Sequence, residues 1–278
     1  MKHDLINQEV SIRECAGCYA SVNDLSMYYE VHGTGTPLVL LHGGLMTIEG
    51  LVPLLPALAQ SHTVIVPELE GHGRTADLDR PLSYEQMAED VAGLLEQLEI
   101  RQADFLGYSL GGTVALRIAM RHPDLVHKLV VVSAPYRQEG YYPSVIESWS
   151  SLSAEAFSGT PIEQAYAQTA PDPEHWPVFL EKVKHALMSF KGWPALDVQL
   201  IKAPTLIMLG DDDVMRPEHA VEMFRLLGSD KPEGSMTNVP RSQLAVLPGT
   251  NHFDILYRLE LLLPVITPFL EERMPTED

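Results

Sequence analysis

Two cysteines are all that this 278-residue chain carries, and they stand together as Cys15 and Cys18. A structural zinc site needs four ligands at recognisable spacing, and no second pair exists to supply them. A dithiol redox centre belongs in a βαβ setting, whereas this pair precedes two short β-prone runs. Basic residues are also few: 19 Lys and Arg face 38 Asp and Glu, a net charge of −19. Such a chain repels phosphate backbones, so no nucleic-acid partner is expected. Long apolar runs are missing as well, none approaching the roughly 20 residues that a membrane helix needs. No basic stretch leads into an apolar segment at the N-terminus. The expectation is a soluble, cytoplasmic protein with no membrane association, no cofactor and no metal. Heptads, repeats and low-complexity tracts are absent too, which leaves the oligomeric state unread.

What is present centres on Gly107-Tyr108-Ser109-Leu110-Gly111-Gly112, between the apolar run Ala103 to Leu106 and the segment Thr113 to Arg121. In that segment Val114, Ala115, Ile118 and Ala119 recur at helical spacing. A serine on a sharp strand-to-helix turn needs small residues two places before and after it, where neighbouring backbone presses close. Gly107 and Gly111 fill those places. The turn would aim the Leu110 N–H, near a helix N-terminus, at the space where an oxyanion develops. Ser109 is therefore a candidate nucleophile, to be judged by whether the chain supplies a base, an acid and a second oxyanion donor.

Residues 1–16 read as a loosely held arm, followed by a hairpin around Asn23-Asp24. Pro37 to Leu41 and His62 to Val66 are continuous apolar runs of the kind buried on both faces of a parallel sheet. The first ends in His42-Gly43-Gly44, a turn that can bring a backbone N–H to a ligand. Leu51 to Ala59 reads as a helix, with Pro53 and Pro56 disturbing its register. Ser83-Tyr84-Glu85-Gln86 opens a long helix in the manner of a capping box. Strands and helices alternate to Val132, which specifies an α/β fold with a mostly parallel sheet flanked by helices. From residue 134 to 200 strand signals vanish. Of twenty aromatic residues in the chain, ten fall in this stretch, including every tryptophan. The reading is a helical cap over residues 134–200, set into a core of residues 1–133 and 201–278.

The α/β pattern resumes with Ala203 to Leu209 and ends in Gly210-Asp211-Asp212-Asp213, where any of the three carboxylates could orient a histidine at the sheet edge. Pro217 opens the next helix. Gly228 to Arg241 is a polar insertion, and Gln243 to Leu247 is the last strand, leading into Pro248-Gly249-Thr250-Asn251-His252. An elbow serine is followed in chain order by its acid and then its histidine. Beyond Asp213 only His219 and His252 remain; His219 falls inside a helix, so His252 is the expected base. His72, on a glycine-rich loop, reads as a structural hydrogen-bonding group.

Taken jointly, these motifs resemble the α/β-hydrolase family over about residues 18–272. The resemblance implies Ser109 as nucleophile, Asp213 rather than Asp211 or Asp212 as acid, His252 as base, and the Leu110 and Gly44 N–H groups as the oxyanion hole. It also separates the chain from relatives with a nucleophilic aspartate, the haloalkane dehalogenases and epoxide hydrolases. It implies hydrolysis of a small-molecule ester or lactone through an acyl-enzyme. An aromatic cap and an acidic surface would suit a macrocyclic lactone bearing an amino sugar, as in macrolide esterases. A thioesterase, an enol-lactone hydrolase, a carbon–carbon bond hydrolase or a non-turning receptor could carry the same motifs. Where the family usually has an aspartate before Gly-His-Gly, this chain has Pro67-Glu68-Leu69-Glu70, and Glu68 receives no role.

Overall fold

A computed structural model describes residues 14–228 and 242–271. The strands are β1 (Cys15–Val22), β2 (Leu25–His32), β3 (Thr36–Leu41), β4 (His62–Pro67), β5 (Ala103–Tyr108), β6 (Val126–Val132), β7 (Thr205–Asp212) and β8 (Gln243–Asn251). They form one sheet in the order β1-β2-β4-β3-β5-β6-β7-β8. The β1–β2 and β2–β4 pairs are antiparallel and the rest are parallel. The helices are α1 (Leu55–Leu58), α2 (Tyr84–Gln97), α3 (Leu110–Arg121), α4 (Pro143–Ser148), α5 (Pro161–Thr169), α6 (Trp176–Ser189), α7 (Ala195–Gln199), α8 (Pro217–Leu227) and α9 (Leu259–Glu271). None is long and apolar enough to cross a membrane, among the described residues.

Because side chains alternate across a strand, each continuous apolar run feeds two cores. Val39 and Leu41 of β3, Phe105 of β5 and Leu129 and Val131 of β6 join one cluster with α2, α3 and α8. Leu38, Leu40, Leu106, Val130 and Val132 face the other way, against α1 and α9. This two-sided burial is why the central strands lack a polar face, and it aligns the C-terminal ends of β5, β6, β7 and β8 along one edge.

Several local expectations need correction. The helix expected from Leu51 to Ala59 is only a 3₁₀ turn, Ile48–Leu51, and the four-residue α1. Pro56 lacks the N–H that a helix interior needs, so α-helix can begin only at that point. The capping box is half formed. Ser83 Oγ accepts the Gln86 N–H at 3.1 Å, but the Gln86 side chain turns to Asp90 at 2.9 Å. The last strand runs on to Asn251; Pro248 fits there because β8 is a sheet edge and owes no N–H to an outer neighbour. The N-terminal arm is shorter than expected, since β1 starts at Cys15. There Cys15 and Cys18 form a disulfide across a bulge, with Gly17 as the extra residue at φ +109°. Of the polar insertion, residues 229–241 lie outside the described residues, as do 1–13 of the arm.

Between β6 and β7 the chain forms α4 to α7 and short 3₁₀ turns. Its aromatics are used largely for packing. Tyr166 stacks on Phe179 at 5.3 Å and meets Trp176 at 4.9 Å, while Phe190 and Trp193 pack against Tyr84 of α2. Polar ties hold the segment to the loop after β4. Lys182 and His175 both pair with Asp77, and Lys182 Nζ donates to the Leu78 carbonyl at 2.5 Å.

Candidate active site

Ser109 ends the tight turn between β5 and α3 with φ +51° and ψ −118°, a conformation that side chains rarely adopt. Its glycine neighbours are required by backbone. A Cβ on Gly107 would lie 2.3 Å from the Gly111 carbonyl oxygen, and one on Gly111 would lie 2.5 Å from the carbonyl oxygens of Leu41 and His42. The Ser109 N–H is tied to the Val132 carbonyl at 2.9 Å, which anchors the turn to β6.

The three residues expected as a triad meet. His252 Nε2 lies 3.1 Å from Ser109 Oγ, and His252 Nδ1 lies 2.9 Å from Asp213 Oδ1. A carboxylate only accepts, so Nδ1 carries the proton and Nε2 is left to accept from the serine. The choice among three aspartates is resolved by direction. Asp212 is exposed. Asp211 accepts the N–H groups of Gly249 and Thr250, both at 3.0 Å, and so fastens the turn before His252. Asp213 is 7% exposed. Its Oδ1 also takes the Met215 N–H at 3.3 Å, and its Oδ2 takes the Ser133 hydroxyl at 2.5 Å and the Gly210 N–H at 3.1 Å. Burial pushes this carboxyl up, but the His252 hydrogen bond and charge, with the Ser133 and Gly210 donors, hold it below the ordinary carboxylate value.

Leu110 opens α3, where N–H groups of a first turn have no partner within the helix. Gly44 sits against it, since a Cβ there would touch Leu110 Cδ1 at 3.4 Å. His42 is wholly buried beneath this loop. Its Nδ1–H donates to the Gly43 carbonyl at 2.8 Å, and its Nε2 accepts the Leu69 N–H at 3.1 Å. Peptide planarity makes the Gly43 carbonyl and the Gly44 N–H one rigid unit, so the His42 ring fixes the direction of that N–H. Burial pushes His42 down to about 4, which keeps it neutral for both bonds.

Tyr108 is a residue that the sequence did not single out for a role. Its hydroxyl donates to the His252 carbonyl at 2.7 Å, and its ring occupies the space a Gly43 Cβ would need, 2.8 Å away. His72 packs between His42 and Phe179, each ring 4.9 Å away, as a structural group. His219 stacks on Tyr136 at 4.8 Å beside Glu222. Glu68 is fully buried and holds the loop after β4 through the Arg74 N–H at 2.5 Å, the Arg74 guanidinium at 2.9 Å and the Ile48 N–H at 3.3 Å. Among the described residues no three His, Cys, Asp or Glu side chains are placed to hold a metal ion.

Comparison with known proteins decides the family. A profile described as the alpha/beta hydrolase family matches residues 38–262, most of the chain. The chain belongs to the alpha/beta hydrolase family. Among relatives of this hydrolase, a pimeloyl-[acyl-carrier protein] methyl ester esterase of Vibrio atlanticus is 31% identical over 214 residues, covering 73% of this chain and 79% of that one. A protein of Azorhizobium caulinodans whose name assigns it to carbamate hydrolysis is 27% identical over 244 residues, 80% of this chain and 89% of the other. Of solved structures, the enol-lactonase of Burkholderia xenovorans LB400 superposes with a TM-score of 0.71 at 21% identity, covering 92% of this hydrolase and all of that chain. At that identity the superposition speaks for the fold.

Proposed function

We propose that this hydrolase cleaves a carboxylic ester or lactone of a small molecule through an acyl-enzyme on Ser109, with residues 134–200 as a helical cap over the site. The reading rests on one observation: the unbroken chain Ser109 Oγ, His252 Nε2, His252 Nδ1, Asp213 Oδ1, with contacts of 3.1 and 2.9 Å. In this reading His252 takes the Ser109 proton as Oγ attacks the carbonyl carbon. The carbonyl oxygen gains charge facing the Leu110 and Gly44 N–H groups, each such donor contributing roughly 3–4 kcal/mol in the transition state. His252 then returns the proton to the leaving alkoxide, and Asp213 holds the imidazole in the tautomer this requires. Water, deprotonated by the same imidazole, attacks the acyl carbon and frees the serine.

The esterase among the relatives favours an ester substrate. The macrolide reading drew on an acidic surface and, chiefly for the bulk of the substrate, on aromatic residues in the 134–200 stretch. Tyr166, Trp176, Phe179, Phe190 and Trp193 are buried against one another and the core, so that argument loses weight, and macrolides enter as one arm of the substrate panel. The test is labelling with a fluorophosphonate probe, the adduct located by mass spectrometry, beside hydrolysis of p-nitrophenyl esters, simple lactones and macrolides. Labelling at Ser109 with turnover of one class supports the proposal, and Ser109→Ala should abolish both while staying folded. Turnover that persists in Ser109→Ala would sink it. Absence of both in the wild type would favour a receptor that retains the triad without using it.

A further inference from the structure

We propose that Ser133 is a positioning residue for the Asp213–His252 pair, holding the second oxygen of Asp213 so that the first stays aligned with the imidazole. The inference rests on the serine-hydrolase reading above. Ser133 directly follows β6, and β6 lies between β5, which carries Ser109, and β7, which carries the acid turn. Its backbone N–H is fixed by the Met208 carbonyl of β7 at 2.8 Å, and the residue before it, Val132, receives the Ser109 N–H. Ser133 is therefore tied directly to β7, which delivers Asp213, and through Val132 to the turn that delivers Ser109. It is wholly buried, and its hydroxyl donates to Asp213 Oδ2 at 2.5 Å.

The backbone adds a second observation. Ser133 has φ +55°, in the left-handed region where a Cβ is strained and glycine is at ease. A buried position that strains its residue favours glycine unless the side chain is used. Here the one polar atom of that side chain is spent on the carboxylate that faces His252. With Ser133 and the Gly210 N–H on Oδ2, the carboxylate cannot rotate about its own axis without breaking two bonds, and Oδ1 stays with His252 and the Met215 N–H. Among the described residues, the hydroxyls of Tyr108 from β5 and Tyr141 from the 134–200 segment also feel Asp213, each pushed up by burial first and by the Asp213 charge. Ser133 differs from them in donating directly to the carboxylate.

Two variants separate this role from a merely structural one. Ser133→Ala removes the hydroxyl and keeps the strain; Ser133→Gly removes both. Each should lower the rate of fluorophosphonate labelling at Ser109, and kcat on p-nitrophenyl esters, roughly ten- to a hundredfold, as expected when a charge-assisted hydrogen bond is lost. KM should be unchanged. The acidic limb of the pH–rate profile should move to higher pH, because a carboxylate that has lost a donor attracts the imidazolium proton of His252 more strongly. Ser133→Gly should meanwhile melt no lower than the wild type. Variants that label at the wild-type rate with the wild-type acidic limb would overturn the inference. Ser109→Ala is run alongside: if it abolishes labelling while the Ser133 variants are normal, only this inference fails. If the wild type does not label, or Ser109→Ala still turns over substrate, the hydrolase reading fails and this one with it.

Discussion

Acid should loosen this fold through a buried histidine, and His72 allows the effect to be calculated. The residue is 1% exposed, donates from Nδ1 to the Glu70 carbonyl at 3.0 Å and lies against His42 and Phe179. Burial first, and the neighbouring His42 second, push it from the ordinary 6.5 down to about 3. Between those values the unfolded chain binds a proton that the folded protein refuses, so stability is complete above about 6.5 and is lost as the pH falls. From pH 6.5 to 4.5 is two units, each costing about 1.4 kcal/mol, or about 3 kcal/mol for this one side chain. His42 and His219, pushed down to about 4, act with the same sign in the same window. Glu68 and Asp90 act against it, because burial raises them and acid relieves them. The wild-type slope mixes these contributions, whereas a comparison with His72→Asn isolates one. Urea unfolding followed by tryptophan fluorescence at pH 7 and pH 4.5 should show the wild type losing about 3 kcal/mol more than the variant on acidification. An equal loss in both proteins would refute the reasoning.

Other perturbations have equally definite outcomes. Tyr108→Phe keeps the ring against Gly43 but removes the 2.7 Å bond to the His252 carbonyl. Steady-state assay should show a several-fold drop in kcat, with stability lowered by only about 1 kcal/mol. Lys128 is 2% exposed, and its ammonium donates to the Phe269 and Leu270 carbonyls at 3.0 and 2.6 Å, at the C-terminal end of α9. Lys128→Met should cost about 2–3 kcal/mol in urea unfolding, since it leaves buried carbonyls unpaired at the negative end of a helix. Gly107→Ala would press a Cβ to 2.3 Å from the Gly111 carbonyl oxygen. Backbone on both sides leaves nothing cheap to move, so soluble yield and thermal melting should show a loss of more than about 3 kcal/mol.

Much of the site was legible because its local parts have local causes. The Gly107-x-Ser109-x-Gly111 spacing follows from how closely backbone passes backbone at the turn, and chain order left His252 as the expected base. The apolar runs of β3, β5 and β6 declared a sheet covered on both faces, because a strand with no polar side can be buried only that way. The failures share a cause too. Pro53 and Pro56 broke a helix that composition favoured. Gln86 met Asp90 four residues on instead of its own cap.

Tertiary structure alone decided the rest. Spacing left three successive aspartates open and only the family resemblance pointed to Asp213; why Asp211 does not serve is a matter of the fold, where it holds the Gly249-Thr250 turn instead. Ser133 lies 80 residues from Asp213, with nothing in its neighbours to mark it. Tyr108 reaches a carbonyl 144 residues away, and only the crossing of β5 with the histidine turn brings the two together. By itself the sequence determined the elbow, the fold class and the candidate nucleophile, because backbone sterics and side-chain periodicity act over a few residues. The partners that aim those groups were decided by sheet order, because a hydrogen bond reaches only about 3 Å and no spacing along the chain foretells which distant strands will lie that close.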